Sequence, residues 1–371
     1  MSALEQAAIA TLYPDGAEVL RDVYDHLSRF VAYPSLHAKV AHVLWVAHAH
    51  LMDVWDTTPR IAFLSTEPGS GKSRALEVTE ALVPNPLLAV SATPAYLIRR
   101  IANEDALPTV LFDEVDTIWG SSAPGNEELR ALLNSGYRRG ASAGRCVTRG
   151  NEIVAEEFPT YAAVALAGIG SLPDTILTRS VIVRMRRRSP DEKVEPYRQR
   201  INGPEGERIR ERLARWAQSV ADDIVFPDLP ESIRDRDADV WEPLIAVADA
   251  AGEEWPELAR AAAVKLVAEA KEGGGVSLGV RLLHDLRVIF GEADQMTTAD
   301  ILARLHDLDD SPWADLKGKP LDARGLSWRL KQYGVKPRTI RTGYATPKGY
   351  RREDLHDAWA RYLPEEKTET T

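Results

Sequence analysis

Two short stretches of this 371-residue chain carry residue types and spacings suited to phosphate chemistry. The first is Thr66-Glu-Pro-Gly-Ser-Gly-Lys-Ser73. Gly69 and Gly71 let backbone wrap an anion without Cβ clashes, and a helix starting at Lys72 points its N-terminal amides at the same place. Lys72 is placed to reach the β- and γ-phosphates of a nucleoside triphosphate, and Ser73 to ligate Mg²⁺. Pro68, Gly69, Ser70, Gly71, Lys72, Ser73 and Arg74 are the expected nucleotide-binding set, with ATP and Mg²⁺ as the expected cofactors. Thr66 replaces the usual first glycine, at a position that only begins the turn. The second stretch, Thr109-Val-Leu-Phe-Asp-Glu-Val-Asp116, is an apolar run ending in adjacent carboxylates. Asp113 is expected to hold the metal, and Glu114 to polarise an attacking water. A lone Gly-Lys-Ser occurs in loops by chance, and acids at a strand end are often just a turn. Both motifs, about 40 residues apart with another strand between them, point to hydrolysis and not to mere binding.

The elements that must hold these residues are legible around them. Short apolar runs, Ile61–Leu64, Leu87–Val90, Thr109–Phe112, Ala162–Leu166 and Val181–Val183, alternate with helical segments. Unbroken apolar strands between helices predict a parallel sheet covered on both faces, an α/β fold. Residues 15–56 read as two helices separated by Tyr33-Pro34-Ser35, with Ser35 as N-cap. The stretch Leu36 to Trp55 is apolar but carries four histidines, Lys39 and Asp53, and reads as a buried helix of a soluble protein. His48 and His50 point to different helix faces and have no cysteine to complete a zinc set. Residues 190–204 read as a connection, followed by helices at about 205–222, 237–251 and 256–271. Gly273-Gly-Gly275 reads as a hinge before a compact last unit.

Composition narrows the class. A formal charge of −10 gives no global attraction to nucleic acid, so such contacts must be local. The single cysteine, Cys146, excludes an internal disulfide and fits a reducing, cytoplasmic setting. No His or Asn nearby marks it as a nucleophile.

Taken together, Phe30-Val-Ala-Tyr-Pro-Ser35, Thr58-Pro-Arg60, the phosphate loop, Phe112-Asp-Glu-Val-Asp116 and Leu132-Leu-Asn-Ser-Gly-Tyr-Arg-Arg-Gly140 resemble AAA+ ATPases. With Leu166-Ala-Gly-Ile-Gly170, Leu172-Pro-Asp-Thr-Ile176, Asp239-Val-Trp-Glu-Pro243 and Gly349-Tyr-Arg-Arg352, the chain is similar to phage and actinobacterial helicase-like domains often fused to primase–polymerase modules. With the resemblance implying an ATPase core and a helical lid, the chain reads as an N-terminal helical region (1–58), the ATPase core (59–190), the lid (191–275), a last unit whose element order fits a winged helix-turn-helix (276–363) and a polar tail expected to be disordered (364–371). The resemblance also implies that Arg179 reaches the γ-phosphate of a neighbouring subunit, which makes the working form a ring, expected to be a hexamer. The alternative is a surface arginine beside the basic run Arg184 to Arg188. The fourth strand, expected to end in a polar sensor, ends instead in Ala167-Gly-Ile-Gly170, with Ser171 as the first hydroxyl. Arg236 and Arg260 are both candidates for a second sensor.

Two regions carry cations suited to DNA. Between Lys317 and Arg352 eleven Lys/Arg face one acid, Asp322, with Trp328, Tyr333, Tyr344 and Tyr350 interleaved. Helix, strand, helix, helix and hairpin fit a winged arrangement: Arg324, Arg329 and Lys331 on a recognition helix, and Lys336, Arg338, Arg341, Lys348, Arg351 and Arg352 on the wing. Such a domain serves protein contact in other settings. A hairpin at Val147 to Ala155 is expected, with Arg149, Gly150 and Asn151 at its turn and Arg138, Arg139 and Arg145 before it. The resemblance to ring helicases implies that such a basic hairpin grips single-stranded DNA in a central pore, and the alternative places Arg138, Arg139 and Arg145 at subunit interfaces. The function expected is an ATP-driven DNA helicase or translocase for phage or mobile-element replication, working with a separate primase or polymerase. A non-unwinding initiator or loader, or a remodeller of protein partners, are the alternatives.

Overall fold

The computed structural model describes residues 14–89, 93–102, 107–116, 127–149, 152–273, 278–308, 311–316, 318–341 and 346–363. The chain forms two compact units, Met1–Ala270 and Lys271–Thr371. The expected tail 364–371 and the centre of the glycine hinge lie outside the described residues.

The first unit opens with α1 (Gly16–Phe30) and α2 (Leu36–Ala49). Asp15 caps α1 by accepting the Glu18 N–H, and Ser35 caps α2 by accepting that of Ala38. There follow β1 (Arg60–Ser65), α3 (Lys72–Glu80), β2 (Pro86–Ala89), α4 (Pro94–Ala102), β3 (Thr109–Phe112) and α5 (Glu127–Ser135). A hairpin, β4 (Ser142–Arg149) and β5 (Glu152–Pro159), precedes β6 (Ala163–Ile169), α6 (Asp174–Leu177) and β7 (Ser180–Arg184). The unit closes with α7 (Gln199–Val220), α8 (Arg236–Ala251) and α9 (Trp255–Gly273).

Five strands form one parallel sheet in the order β2-β3-β6-β1-β7. Each strand residue faces opposite to its neighbour, so the sheet sorts its apolar residues into two cores. Ile61, Phe63, Val181 and Val183 join the core built with α1, α2, α3 and the C-terminal helices. Ala62, Leu64, Val110 and Phe112 join the core under α4, α5 and α6. Burial on both faces explains why these strands read as unbroken apolar runs.

Two sequence expectations are corrected. The hairpin spans Ser142 to Pro159 and not only Val147 to Ala155, because its strands pair along their full length. The connection at 190–204 turns helical at Gln199, so Gly203 and Pro204 lie inside α7. The close approach of α7 to the end of α3 requires Gly206, whose added Cβ would sit 2.6 Å from Ala81.

The second unit contains α10 (Leu278–Phe290), β8 (Gln295–Thr297), α11 (Thr298–His306), α12 (Ala323–Lys331), β9 (Arg338–Thr339), β10 (Lys348–Arg351) and α13 (Arg352–Tyr362). Its three strands pair antiparallel in the order β8-β10-β9. Its core seats Trp313, which donates to Asp285 at 2.7 Å, and Trp359, which donates to the Leu283 carbonyl at 2.9 Å. No helix among the described residues is long and apolar enough to cross a membrane.

Candidate active site

Because the five strands are parallel, their C-terminal ends share one edge, the edge where such sheets present ligand-binding loops. The loop from Thr66 to Gly71 leaves β1 at this edge and enters α3. Gly69 (φ 76°) and Gly71 (φ 85°) occupy the left-handed region, which an L side chain resists. Gly71 is also the N-cap of α3 and supplies no side-chain bond, so the helix amides stay open to an anion. Lys72 is only 8% exposed. Its Nζ donates to Ser65 Oγ at 2.6 Å and to Ser70 Oγ at 3.2 Å. The Ser65 hydroxyl donates onward to the Glu67 carbonyl, which leaves its lone pairs for the lysine. Burial pulls the lysine pKa down, while Asp113 and Asp116 pull it up. No carboxylate forms an ion pair with Lys72 among the described residues, so hydroxyls alone hold a buried cation beside an open helix N-terminus.

The carboxylates of the second motif follow β3 at the same edge. Glu114 N–H donates to Asp113 Oδ1 at 2.9 Å. Glu114 is exposed and sits at φ 54°, a left-handed conformation costing about 1–2 kcal/mol for a residue with a Cβ. The turn is held by β6: Val115 N–H donates to the Ala167 carbonyl at 2.9 Å, and Ile169 N–H to Asp116 Oδ1 at 2.8 Å. A Cβ on Gly168 would lie 2.8 Å from Val115 Cγ1 and 2.9 Å from Asp116 Oδ1, so only glycine admits this approach. Sequence reading assigned Asp116 no role; the structure makes it the tie that aims the acidic turn. Ser73 is exposed in the first turn of α3, and its hydroxyl has no protein partner among the described residues. Ser73 and Asp113 are oxygen donors of the kind a hard divalent cation takes.

A cleft of about 600 Å³ opens beside the loop, lined by Gly69, Gly71 and Arg74 on one side and by Phe30, Arg187 and Pro196 on another. Arg186 and Arg188 line it too. Arg187 Nε donates to the Pro68 carbonyl at 3.0 Å. Arg74 leans on the Tyr197 ring and donates to its carbonyl at 3.2 Å. Sequence reading noted Arg184 to Arg188 only as a basic run beside Arg179 and gave it no part in the site. The signal it missed was topological: β7 lies beside β1, so whatever follows β7 emerges next to the phosphate loop.

The other expected site residues are dispersed. Arg179 precedes β7 and so stands at the opposite edge of the sheet, stacked on Tyr137 with its Cζ 4.4 Å from the ring centre. Arg236 lines a small recess there with Arg179, Thr57 and Asp239. Arg260 is gripped by both Asp249 oxygens at 2.6 and 2.9 Å. Neither Arg236 nor Arg260 lines the phosphate-loop cleft. Ser171 Oγ donates to the Leu172 carbonyl at 3.3 Å.

The expected DNA contacts divide. Arg138 is exposed on the turn after α5. Arg139 instead donates to the Trp55 and Met52 carbonyls at 2.8 and 2.6 Å and lies over Tyr161, tying the turn after α2. Arg145 and Arg149 belong to β4, and their side chains lie outside the described residues, as does Tyr344. In the second unit Arg324, Lys331, Lys336, Arg341 and Lys348 are exposed. Arg329 folds back onto the Gly325 carbonyl and the Trp328 ring. Arg338 pairs with Asp354 at 2.8 Å, Arg351 with Glu353 at 3.0 Å and Arg352 with Glu292 at 3.5 Å. The basic density of 317–352 is thus partly neutralised by acids outside that window. Of the aromatics, Tyr350 is buried and Trp328 is 62% exposed.

Residues 184–362 match the family described as a protein of unknown function (DUF3631). Among solved structures, the A-form apo structure of the NrS-1 C-terminal region (305–718) is similar, with a TM-score of 0.39 and 10% identity over 90% of this chain and 74% of that one. An uncharacterized 28.9 kDa protein in the xis 5′ region of Saccharopolyspora erythraea is 41% identical over 184 residues, 49% of this chain and 69% of that protein. The chain belongs to the family of that Saccharopolyspora protein.

Proposed function

We propose that the chain is an ATP-hydrolysing enzyme of the AAA+ kind that works as a ring, expected to be a hexamer, and drives movement along DNA. One observation carries this reading: buried Lys72 on the phosphate loop and the acidic pair Asp113–Glu114 stand at the same edge of one parallel sheet. The strand order, with the loop-bearing β1 between β6 and β7, agrees with the AAA+ resemblance. In this reading the amides of Gly69 to Ser73 and the Lys72 ammonium bind the β- and γ-phosphates. Ser73 and Asp113 hold Mg²⁺, which when bound neutralises phosphate charge. Glu114 takes the proton of the attacking water. Arg179, facing away from its own loop, supplies a cation to the neighbouring subunit's site.

The second unit supports the DNA assignment by its element order, which is that of a winged helix-turn-helix, and by the exposed cations on α12 and after it. The β4–β5 hairpin, sixteen strand residues long, is the candidate pore element. Pairing of Arg338, Arg351 and Arg352 with acids favours a second reading for this unit, contact with a protein partner, in which the chain loads or remodels other replication proteins. The deciding experiment combines DNA-stimulated ATPase activity with strand displacement on a forked duplex. Stimulation with displacement is the expected result. Stimulation without displacement supports the loader, and hydrolysis indifferent to DNA sinks both DNA readings.

A further inference from the structure

At the sheet edge away from the phosphate loop, β1 begins with an arginine that is fully buried. Arg60 has no carboxylate partner among the described residues. Its guanidinium donates to the Leu133 carbonyl at 2.6 Å, in the last turn of α5, and to that of Thr58 at 3.5 Å. Its Nε has no partner. The negative end of the α5 dipole offsets a little of the desolvation. An unpaired buried cation remains an expensive choice for a core position that a leucine could fill.

The surroundings supply a reason. The Arg60 main-chain N–H donates to the Arg179 carbonyl at 2.9 Å, and both guanidinium groups lie within cation–π reach of the Tyr137 ring. The ring centre lies 4.4 Å from Arg179 Cζ and 6.0 Å from Arg60 Cζ. Tyr137 is itself anchored, because its carbonyl accepts the Thr58 N–H at 2.8 Å. Arg179 also lacks a carboxylate partner among the described residues; its guanidinium donates to the Thr175 carbonyl one turn back at 2.5 Å, its Nε is buried without a partner, and the Tyr137 ring supplies the face against which its plane rests. A ring face attracts a guanidinium and fixes its plane. A second cation near the same ring repels the first, and burial lowers the Arg60 pKa to about 9, with repulsion by Arg179 adding to the shift.

We propose that Tyr137 and Arg60 are positioning residues that hold the Arg179 guanidinium outward, as a pre-set cation for the triphosphate bound to a neighbouring copy of the chain. The inference rests on the reading of Arg179 as a cation acting between subunits. Preset geometry matters because small displacements of a charge-stabilising group cost up to about 100-fold in rate.

The test uses the full chain with ATP, Mg²⁺ and DNA, and compares Tyr137→Leu, Tyr137→Phe, Arg179→Ala and the double variant Tyr137→Leu/Arg179→Ala. Tyr137 is half-buried, so these variants disturb the core less than a change at Arg60. Steady-state kinetics, affinity for a fluorescent ATP analogue and assembled mass are measured for each. Tyr137→Leu is expected to lower kcat roughly 10- to 100-fold, with analogue affinity and assembled mass unchanged. Tyr137→Phe keeps the ring and is expected to stay within about threefold of the parent, and Tyr137→Leu is expected to add nothing to Arg179→Ala. A parental kcat in Tyr137→Leu while Arg179→Ala is inactive overturns the proposal and leaves the reading of Arg179 standing. Loss of analogue binding or of assembly in Tyr137→Leu also overturns it, since that is a structural effect. A parental kcat in Arg179→Ala removes the underlying reading and the proposal with it.

Discussion

Acid should unfold the first unit earlier than its carboxylates alone would require, because α2 buries two neutral imidazoles. His42 and His48 are both 0% exposed. His42 Nε2 lies 2.8 Å from Thr79 Oγ1, and that hydroxyl already donates to the Ala75 carbonyl, so the ring must donate to it. His42 Nδ1, 2.6 Å from Tyr33 Oη, then accepts the phenol proton, which burial keeps in place by raising the Tyr33 pKa. The neutral ring is therefore fully used, and it ties α2 to α3, the helix that carries the phosphate loop. His48 stacks on Trp55 with both ring nitrogens unpartnered. Desolvation lowers both pKa values to about 3. The unfolded chain protonates these rings near pH 6.5, while the folded chain refuses the proton until about pH 3. Their contribution is thus complete above pH 6.5 and lost as pH falls. At about 1.4 kcal/mol per pH unit, each ring removes roughly 2.7 kcal/mol between pH 6.5 and 4.5, and the pair about 5 kcal/mol. That is comparable to the whole stability of many domains. Urea unfolding at half-unit pH steps, with His48→Phe as the comparison, measures it. The variant keeps the stack on Trp55 and should lose roughly 2.7 kcal/mol of that fall, while His50, which burial lowers to about 4, and His26, which burial also lowers, go on contributing in both proteins. Stability flat from pH 6.5 to 4.5 in the parent, or an unchanged slope in His48→Phe, would refute the reasoning.

Two further expectations concern residues whose place the structure settles. Arg260→Ala should lower stability by about 1 kcal/mol through loss of its pair with Asp249, and leave kcat for ATP unchanged; a fall in kcat without a shift of the urea midpoint would return Arg260 to the nucleotide. If Arg324, Lys331, Lys336, Arg341 and Lys348 all meet phosphates of duplex DNA, a plot of log affinity against log salt should have a slope of about −4.5. A slope near zero in a filter-binding titration would remove the second unit from DNA contact.

The phosphate loop and the five parallel strands were legible because local chemistry dictates them: glycines where the backbone turns left-handed, and unbroken apolar runs where both sheet faces are covered. What escaped depended on distant partners. Arg186 to Arg188 look like a solvated run until β7 is known to lie beside β1. Arg139 looks like a DNA contact until the carbonyls of Met52 and Trp55 are brought to it. Asp354 and Glu292 quench wing cations from positions that a window of charge cannot include. The terminal helix α13 was within reach of the sequence. Leu355, Ala358 and Trp359 keep helical spacing, and the expectation of a hairpin through Arg352 masked it.

The central claim is that the loop Thr66 to Ser73 and the acids after β3 form one hydrolytic site. Its most direct test measures ATP binding and turnover side by side in Glu114→Gln. Removing the base while keeping size and hydrogen bonding should leave ATP affinity near that of the parent and lower kcat by roughly 100- to 10,000-fold. Undiminished turnover in Glu114→Gln, with ATP bound as tightly as by the parent, would contradict it.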